Sequence, residues 1–225
     1  MSAIIAGQMG FSVGRINLLV KSAILHDIGA LKLQQLPDAE DLDDGTKEVV
    51  KKNTQETLDR YGDLDEEVLR LITQMQELYT RESDAEIPAG LKESVNANIL
   101  YVADAYDRMT AMKSFEEPTS EVKAVRELLA DEERYNKKIV NALIHGISIL
   151  YPGVCVELSN GEKGLVITEN EDNIFEPTVL DFRNNNLYDL SDPSVKQTIE
   201  IADVMKTMDN RIKLDKSLLE EYQAN

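Results

Sequence analysis

The residues best suited to chemistry lie in one stretch, Ser22 to Gly29, where His26 and Asp27 stand side by side at the end of an apolar run. An adjacent imidazole and carboxylate suit a hydrolytic metal centre, because the ring nitrogen takes one divalent ion and the carboxylate can bridge a second. Such a centre normally gathers several nitrogen and oxygen ligands around each ion. Here the only other histidine is His145. The core of a centre is present and few of its walls. The alternative is a polar pair without an ion, since a buried imidazole is satisfied by a single acceptor.

The elements that must position the pair read as helical over residues 1–152. Ile16, Leu18, Leu19, Ala23, Ile24 and Leu25 form an apolar helix running into His26, and Gly29 is placed to end it. Further helices are expected over 46–61, 65–79, 95–113, 120–130 and 136–150, with an acidic loop at 37–45 and another loop at 81–90 closed by Pro88. The pattern changes after Tyr151-Pro152-Gly153. Val154, Val156 and Leu158 alternate with other residues, Asn160-Gly161 is a hairpin turn signal, and Leu165-Val166-Ile167 makes a return strand. Two more short strands are expected at 178–182 and 187–190. The fold class is therefore mainly α: a helical domain over 1–152, a small antiparallel β appendage over 153–192, and a C-terminal helix with a charged tail over 193–225.

Composition narrows the function. The net charge of −18 disfavours a nucleic-acid surface, and the basic pairs Lys51-Lys52 and Lys137-Lys138 are flanked by acids. It also makes a phosphate-bearing ligand harder to attract without bound cations. No apolar run approaches the ~18 residues of a membrane span, and residues 1–10 lack the pattern of a secretory leader. With Cys155 alone there is no disulfide framework, so a cytoplasmic setting is expected.

Other polar groups have plainer readings. Asp104 stands at i, i+4 from Arg108, the spacing of a helical ion pair. His145 reads as a helix-surface residue and Cys155 as a packing residue. Asp41, Asp43, Asp44 and Gly45 resemble a calcium loop, but Leu42 and Lys51 fall where oxygen ligands are required, so this is an acidic helix entry. Ile199, Ile201, Val204, Met205 and Met208 form an apolar set on the late helix, a candidate homodimer contact or a face packed on the appendage.

Three stretches together resemble the HD-GYP family, a branch of the HD phosphohydrolases that cleaves cyclic di-GMP. They are Ala23 to Gly29, Ile99 to Asp107 (Ile-Leu-Tyr-Val-Ala-Asp-Ala-Tyr-Asp), and Tyr151 to Glu162 (Tyr-Pro-Gly-Val-Cys-Val-Glu-Leu-Ser-Asn-Gly-Glu). The resemblance implies an HD-type helical bundle, a metal-binding aspartate at Asp104, and a hairpin after the helical core. It also marks departures. The family's lysine after His-Asp-Ile-Gly is Ala30 here, a later histidine falls near Asn53, and His-His-Glu stands as Met75-Gln76-Glu77. Gly-Tyr-Pro aligns loosely with Glu86-Ile87-Pro88, and one further ligand is expected upstream of Met1. What carries over is His26, Asp27 and Asp104 as metal candidates, with Glu77 as a weaker fourth. No residue is assigned a catalytic role, and substrate-binding residues are unknown.

The expectation is a catalytically degenerate domain acting as a regulatory or protein-interaction module in bacterial, cyclic di-GMP-related signalling, with a protein partner and no cofactor. Two readings stand beside it. One is an active phosphodiesterase or phosphohydrolase holding a single divalent ion (Mn, Fe or Mg); the other is a sensor that binds a cyclic dinucleotide without cleaving it.

Overall fold

The computed structural model describes residues 1–33, 43–61, 64–79, 93–112 and 117–205. The chain divides into two compact units, one of Met1–Thr119 and Ala124–Ile147, the other of Ser120–Lys123 and Ser148–Asn225.

The first unit is helical. It contains α1 (Ser2–Gln8), α2 (Val13–Leu25), a 3-10 turn (Ile28–Lys32), α3 (Asp44–Tyr61), α4 (Glu66–Tyr79), α5 (Val95–Thr110) and α7 (Lys137–Ile147). Between α5 and α7 in sequence lies α6 (Glu121–Ala130), whose first residues group with the second unit. Helix α5 is the hub. Ile99, Leu100, Val102 and Tyr106 are buried on different sides of it, and it packs against α1, α2, α4 and α7. A helix that is apolar nearly all round must be enclosed. Helix α4 buries Val68, Leu71, Ile72 and Met75, the i, i+3, i+4, i+7 spacing of a single inward stripe. Asp43 accepts hydrogen bonds from the Thr46 N–H (2.9 Å) and hydroxyl (2.7 Å), so the acidic segment does enter a helix through a side-chain cap. Those bonds hold the Asp43 carboxyl below its usual range. The loop expected at 81–90 and residues 37–42 of the acidic loop lie outside the described residues.

Three local features differ from expectation. Helix α1 was not anticipated: seven residues are too few for periodicity to register, yet Ile5 and Ala6 are fully buried and α1 packs on α2 and α7. Helix α7 stops at Ile147 because Ser148 takes a positive φ of 44°, which no helix continues through. Gly29 is not a left-handed cap. It sits inside the 3-10 turn, and its role is close approach: a Cβ there would lie 2.3 Å from both the Thr54 nitrogen and the Val50 carbonyl oxygen of α3.

The second unit holds an antiparallel sheet of strand order β4-β3-β2-β1-β5, formed by β1 (Cys155–Leu158), β2 (Lys163–Thr168), β3 (Thr178–Asp181), β4 (Leu187–Asp189) and β5 (Ile201–Val204). Val156 and Leu158 of β1 and Gly164 and Val166 of β2 are buried at every second position, so one face is covered. The Asn160-Gly161 turn joins β1 to β2, with Gly161 at φ 81° and the Asn160 side chain accepting from the Glu162 N–H at 3.0 Å. Cys155 is half-buried in β1, a packing position.

The expected C-terminal helix is corrected here. Among the described residues of this stretch, 193–205, only Pro193–Lys196 is helical (α8), started by Asp192 accepting from the Ser194 N–H at 2.8 Å. Ile201 and Val204 belong instead to β5, which pairs with β1 through Val156↔Val204 and Leu158↔Ile201. Met205 donates its N–H to the Cys155 carbonyl, and Ile201 is fully buried. Backbone pairing to the open side of β1 outweighs the helical spacing, so Ile201 and Val204 lie on a strand and not on a helical contact face. Met208 lies outside the described residues.

Candidate functional site: a paired imidazole in an acidic cleft

Helix α2 ends at His26, and Asp27 leads into the 3-10 turn. The His26 Nδ1 lies 2.7 Å from the Ala23 carbonyl oxygen. A ring nitrogen facing a carbonyl must carry the proton, so Nδ1–H donates. Nε2 faces the Oδ1 of Asp104 on α5 at 3.4 Å. With Nδ1 already protonated, Nε2 suits that carboxylate only when it carries a proton too. Burial pulls the His26 pKa down, but the hydrogen bond and charge of Asp104, the charge of Asp27 and the Ala23 carbonyl outweigh it, and the net shift is upward. The second oxygen of Asp104 accepts from Arg108 Nε at 2.9 Å, within α5 at i, i+4. The result is a half-buried chain of charges, imidazolium, carboxylate and guanidinium. Of the two roles considered for Asp104, the i, i+4 pairing with Arg108 is the one seen here.

Asp27 stands apart. Its side chain is 64 % exposed, and its Oδ1 is 3.9 Å from Nδ1, the ring nitrogen turned away from Asp104. The two carboxylates therefore address different edges of one ring. A single ion on Nε2 would meet Asp104 and not Asp27. Among the described residues, no three His, Cys, Asp or Glu side chains gather as a ligand set. Glu77 is exposed on α4. The residues of that turn that reach the site are Met75, buried against the cleft, and Gln76. His145 is exposed on α7 and bonds its own helix through the Asn141 carbonyl at 2.6 Å.

What surrounds the motif is structural. Gln76 donates its amide to the backbone carbonyl of His26 at 2.8 Å, and Asn53 donates to the carbonyl of Gly29 at 3.4 Å. Thr54, fully buried, accepts from the Gly29 N–H at 3.0 Å. Lys32 caps the other side, donating to the Asn53 carbonyl and lying 3.8 Å from Glu56. Three polar side chains from α3 and α4 thus clamp the backbone between His26 and Gly29. Thr54 was missed in the sequence, although it shares the inward stripe of Val50 and Leu58 at i, i+4, i+8.

The imidazole borders a cleft of ≈ 190 Å³ whose polar end carries His26, Asp104 and Asp107 and whose apolar wall includes Met75, Leu100 and Ala103. Asp107 was also missed; it sits one turn beyond Asp104 on α5 and is exposed.

The whole of this arrangement falls in a segment with a known signature. Residues 1–109 match the HD domain family. HD domains form a superfamily of metal-dependent phosphohydrolases. The match runs from α1 to the last turn of α5, so it contains both ends of the His26–Asp104–Arg108 chain. No curated protein matches the sequence. The mainly helical fold with a small antiparallel β appendage is as the sequence pattern predicts. None of the described helices is long and apolar enough to cross a membrane. Set against the superfamily's chemistry, the donor set here does not fit a centre of two ions. Among the described residues it offers one imidazole nitrogen and the carboxylates of Asp104, which already holds an arginine, and Asp107, while the amides of Gln76 and Asn53 are turned to backbone carbonyls.

Proposed function

We propose that this chain is a catalytically degenerate HD domain of HD-GYP type that serves as a regulatory or protein-interaction module in cyclic di-GMP-related bacterial signalling. One observation carries the reading. Gln76 and Asn53, at the positions where the resemblance places histidines, spend their amides on the backbone carbonyls of His26 and Gly29. They brace the motif and leave it without the walls of a metal centre. The ion pairing of Asp104 with His26 and Arg108 supports the same conclusion, because it satisfies both carboxylate oxygens without a metal ion. A clamp on both the attacking and the leaving oxygen requires two ions held close together by shared ligands.

The cleft argues against a cyclic dinucleotide as the principal ligand. At ≈ 190 Å³ it falls short of the ~300 Å³ at which pockets begin to enclose drug-sized molecules, and its two carboxylates repel phosphate.

The test is metal analysis of the purified chain, followed by incubation with cyclic di-GMP in manganese or iron. The expected result is substoichiometric metal and no turnover above a metal-only blank. Turnover that disappears in His26→Ala overturns the proposal.

A further inference from the structure

The cleft beside His26 has an apolar floor and an acidic rim. Leu100, Ala103, Asp104 and Asp107 fall at i, i+3, i+4 and i+7, so one stripe of α5 lines it. The first two are apolar and buried, as is Met75 of α4, and Ala23 of α2 adds to the same wall. Asp104 and His26 are partly buried, and Asp107 is exposed. Depth and polarity thus run together along the stripe.

Charge and size say what such a cleft takes. Asp104 is held by His26 and Arg108. The Asp107 side chain has no hydrogen-bond or ion-pair partner among the described residues. With the imidazole charged, the ionisable side chains lining the cleft are one positive and two negative, a net −1. The whole chain, at −18, draws cations toward it. An apolar cavity of about 150 Å³ encloses a benzene-sized molecule, so a cleft of ≈ 190 Å³ has room for a ligand of roughly that size.

We infer that this cleft binds a small primary amine, a tail of about four to six carbons lying against Met75, Leu100 and Ala103 and the ammonium at Asp107. Such a ligand is matched at both ends. The tail leaves water for the floor, and the ammonium stays at the wet rim beside a carboxylate that lacks a partner. The inference rests on the reading of the site as one without a metal centre, and it gives the regulatory module a class of effector.

The test uses the full chain in EDTA, isotope-labelled at its methionine methyls, with n-pentylamine as the probe. That amine is charged at neutral pH, as a lysine is. The Met75 methyl signal, assigned by its loss in Met75→Leu, should shift saturably as pentylamine is added. 1-Pentanol has the same tail and no charge, and should bind about fivefold more weakly, the upper end for an ion pair that water still reaches. Methylamine keeps the charge and loses four methylenes, so its binding should be weaker by roughly tenfold or more. Asp107→Asn should weaken pentylamine by about fivefold and leave pentanol unchanged. Asp107 is exposed, and circular dichroism checks that the variant folds. Pentanol or methylamine binding as tightly as pentylamine overturns the inference, and so does full affinity in Asp107→Asn or a Met75 signal that never moves. Loss of amine binding leaves the metal and turnover assays as they are. Turnover in those assays leaves amine binding readable in EDTA, so the two proposals fail separately.

Discussion

Replacing Gly29 by alanine adds one methyl group, and the structure fixes where it must go. The new carbon would stand 2.3 Å from the Thr54 nitrogen, 2.3 Å from the Val50 carbonyl oxygen and 2.6 Å from the Thr54 hydroxyl oxygen. Ordinary contacts need about a further ångström, and the obstacles are helix backbone, which cannot swing aside as a side-chain tip would. The 3-10 turn and α3 must therefore separate. Overpacking of this kind costs roughly 1–3 kcal/mol. Separation also stretches the bond from the Gly29 N–H to Thr54, and a buried donor left without its acceptor costs about 1–3 kcal/mol. A combined loss of ~3 kcal/mol is expected. Gly7 in α1 is the control, since a Cβ there meets nothing within 4 Å and alanine is the better helix former. Urea unfolding followed by circular dichroism reads both variants against wild type. The expected result is Gly29→Ala about 3 kcal/mol less stable and Gly7→Ala equal or slightly more stable. If Gly29→Ala unfolds within 0.5 kcal/mol of wild type (roughly the noise of a surface substitution), close packing of the motif on α3 is not what requires glycine.

Two pH-dependent outcomes follow from the charge pairs. With His145 replaced by Gln to leave one imidazole signal, NMR should show His26 titrating above the usual histidine value, and Asp104→Asn should bring it down because burial then meets less opposition. The sign for stability is set by the raised value: the contribution is full below about pH 6.5 and is lost as pH rises through the folded pKa, so wild type should lose its advantage over His26→Gln on the alkaline side. An unchanged His26 titration in Asp104→Asn refutes the pairing. In the second unit, burial alone would raise the Asp203 carboxyl, but bonds from Lys123 (2.8 Å) and Ser120 and the lysine charge bring it below its ordinary range. A depressed carboxylate stabilises above about pH 4 and stops doing so as pH falls through its folded value. The gap in urea midpoint between wild type and Asp203→Asn should close under acid; a constant gap from pH 7 to 3 contradicts the ion pair.

What the sequence shows well is what periodicity encodes. The α4 stripe, the enclosed α5 and the alternation of β1 and β2 can be read residue by residue, because each repeats often enough to identify its period. The Asn160-Gly161 turn is equally plain, since few dipeptides suit that geometry. Helix α1 is hidden by brevity and β5 by a coincidence of spacing that only its pairing with β1 resolves. At the site, His26, Asp27 and Asp104 can be picked out by residue type, but type does not say which ring nitrogen each carboxylate meets. Nor does it say that Asn53, Thr54 and Gln76 serve the backbone, a role set by helices distant in sequence.

The placing of β5 bears on the order in which the protein is made. Strands β1 to β4 each pair with their neighbours in sequence, but β5 passes over three strands to reach β1, joining Asp203 to Glu157. During synthesis the helical segment bearing His26 and Asp104 emerges first and can settle while the later residues are still being added. The sheet has no such early option. Its first strand must wait, one side bare, until nearly fifty further residues have left the ribosome. A nascent chain halted before Ile201 would offer that bare side as a template for the wrong strand.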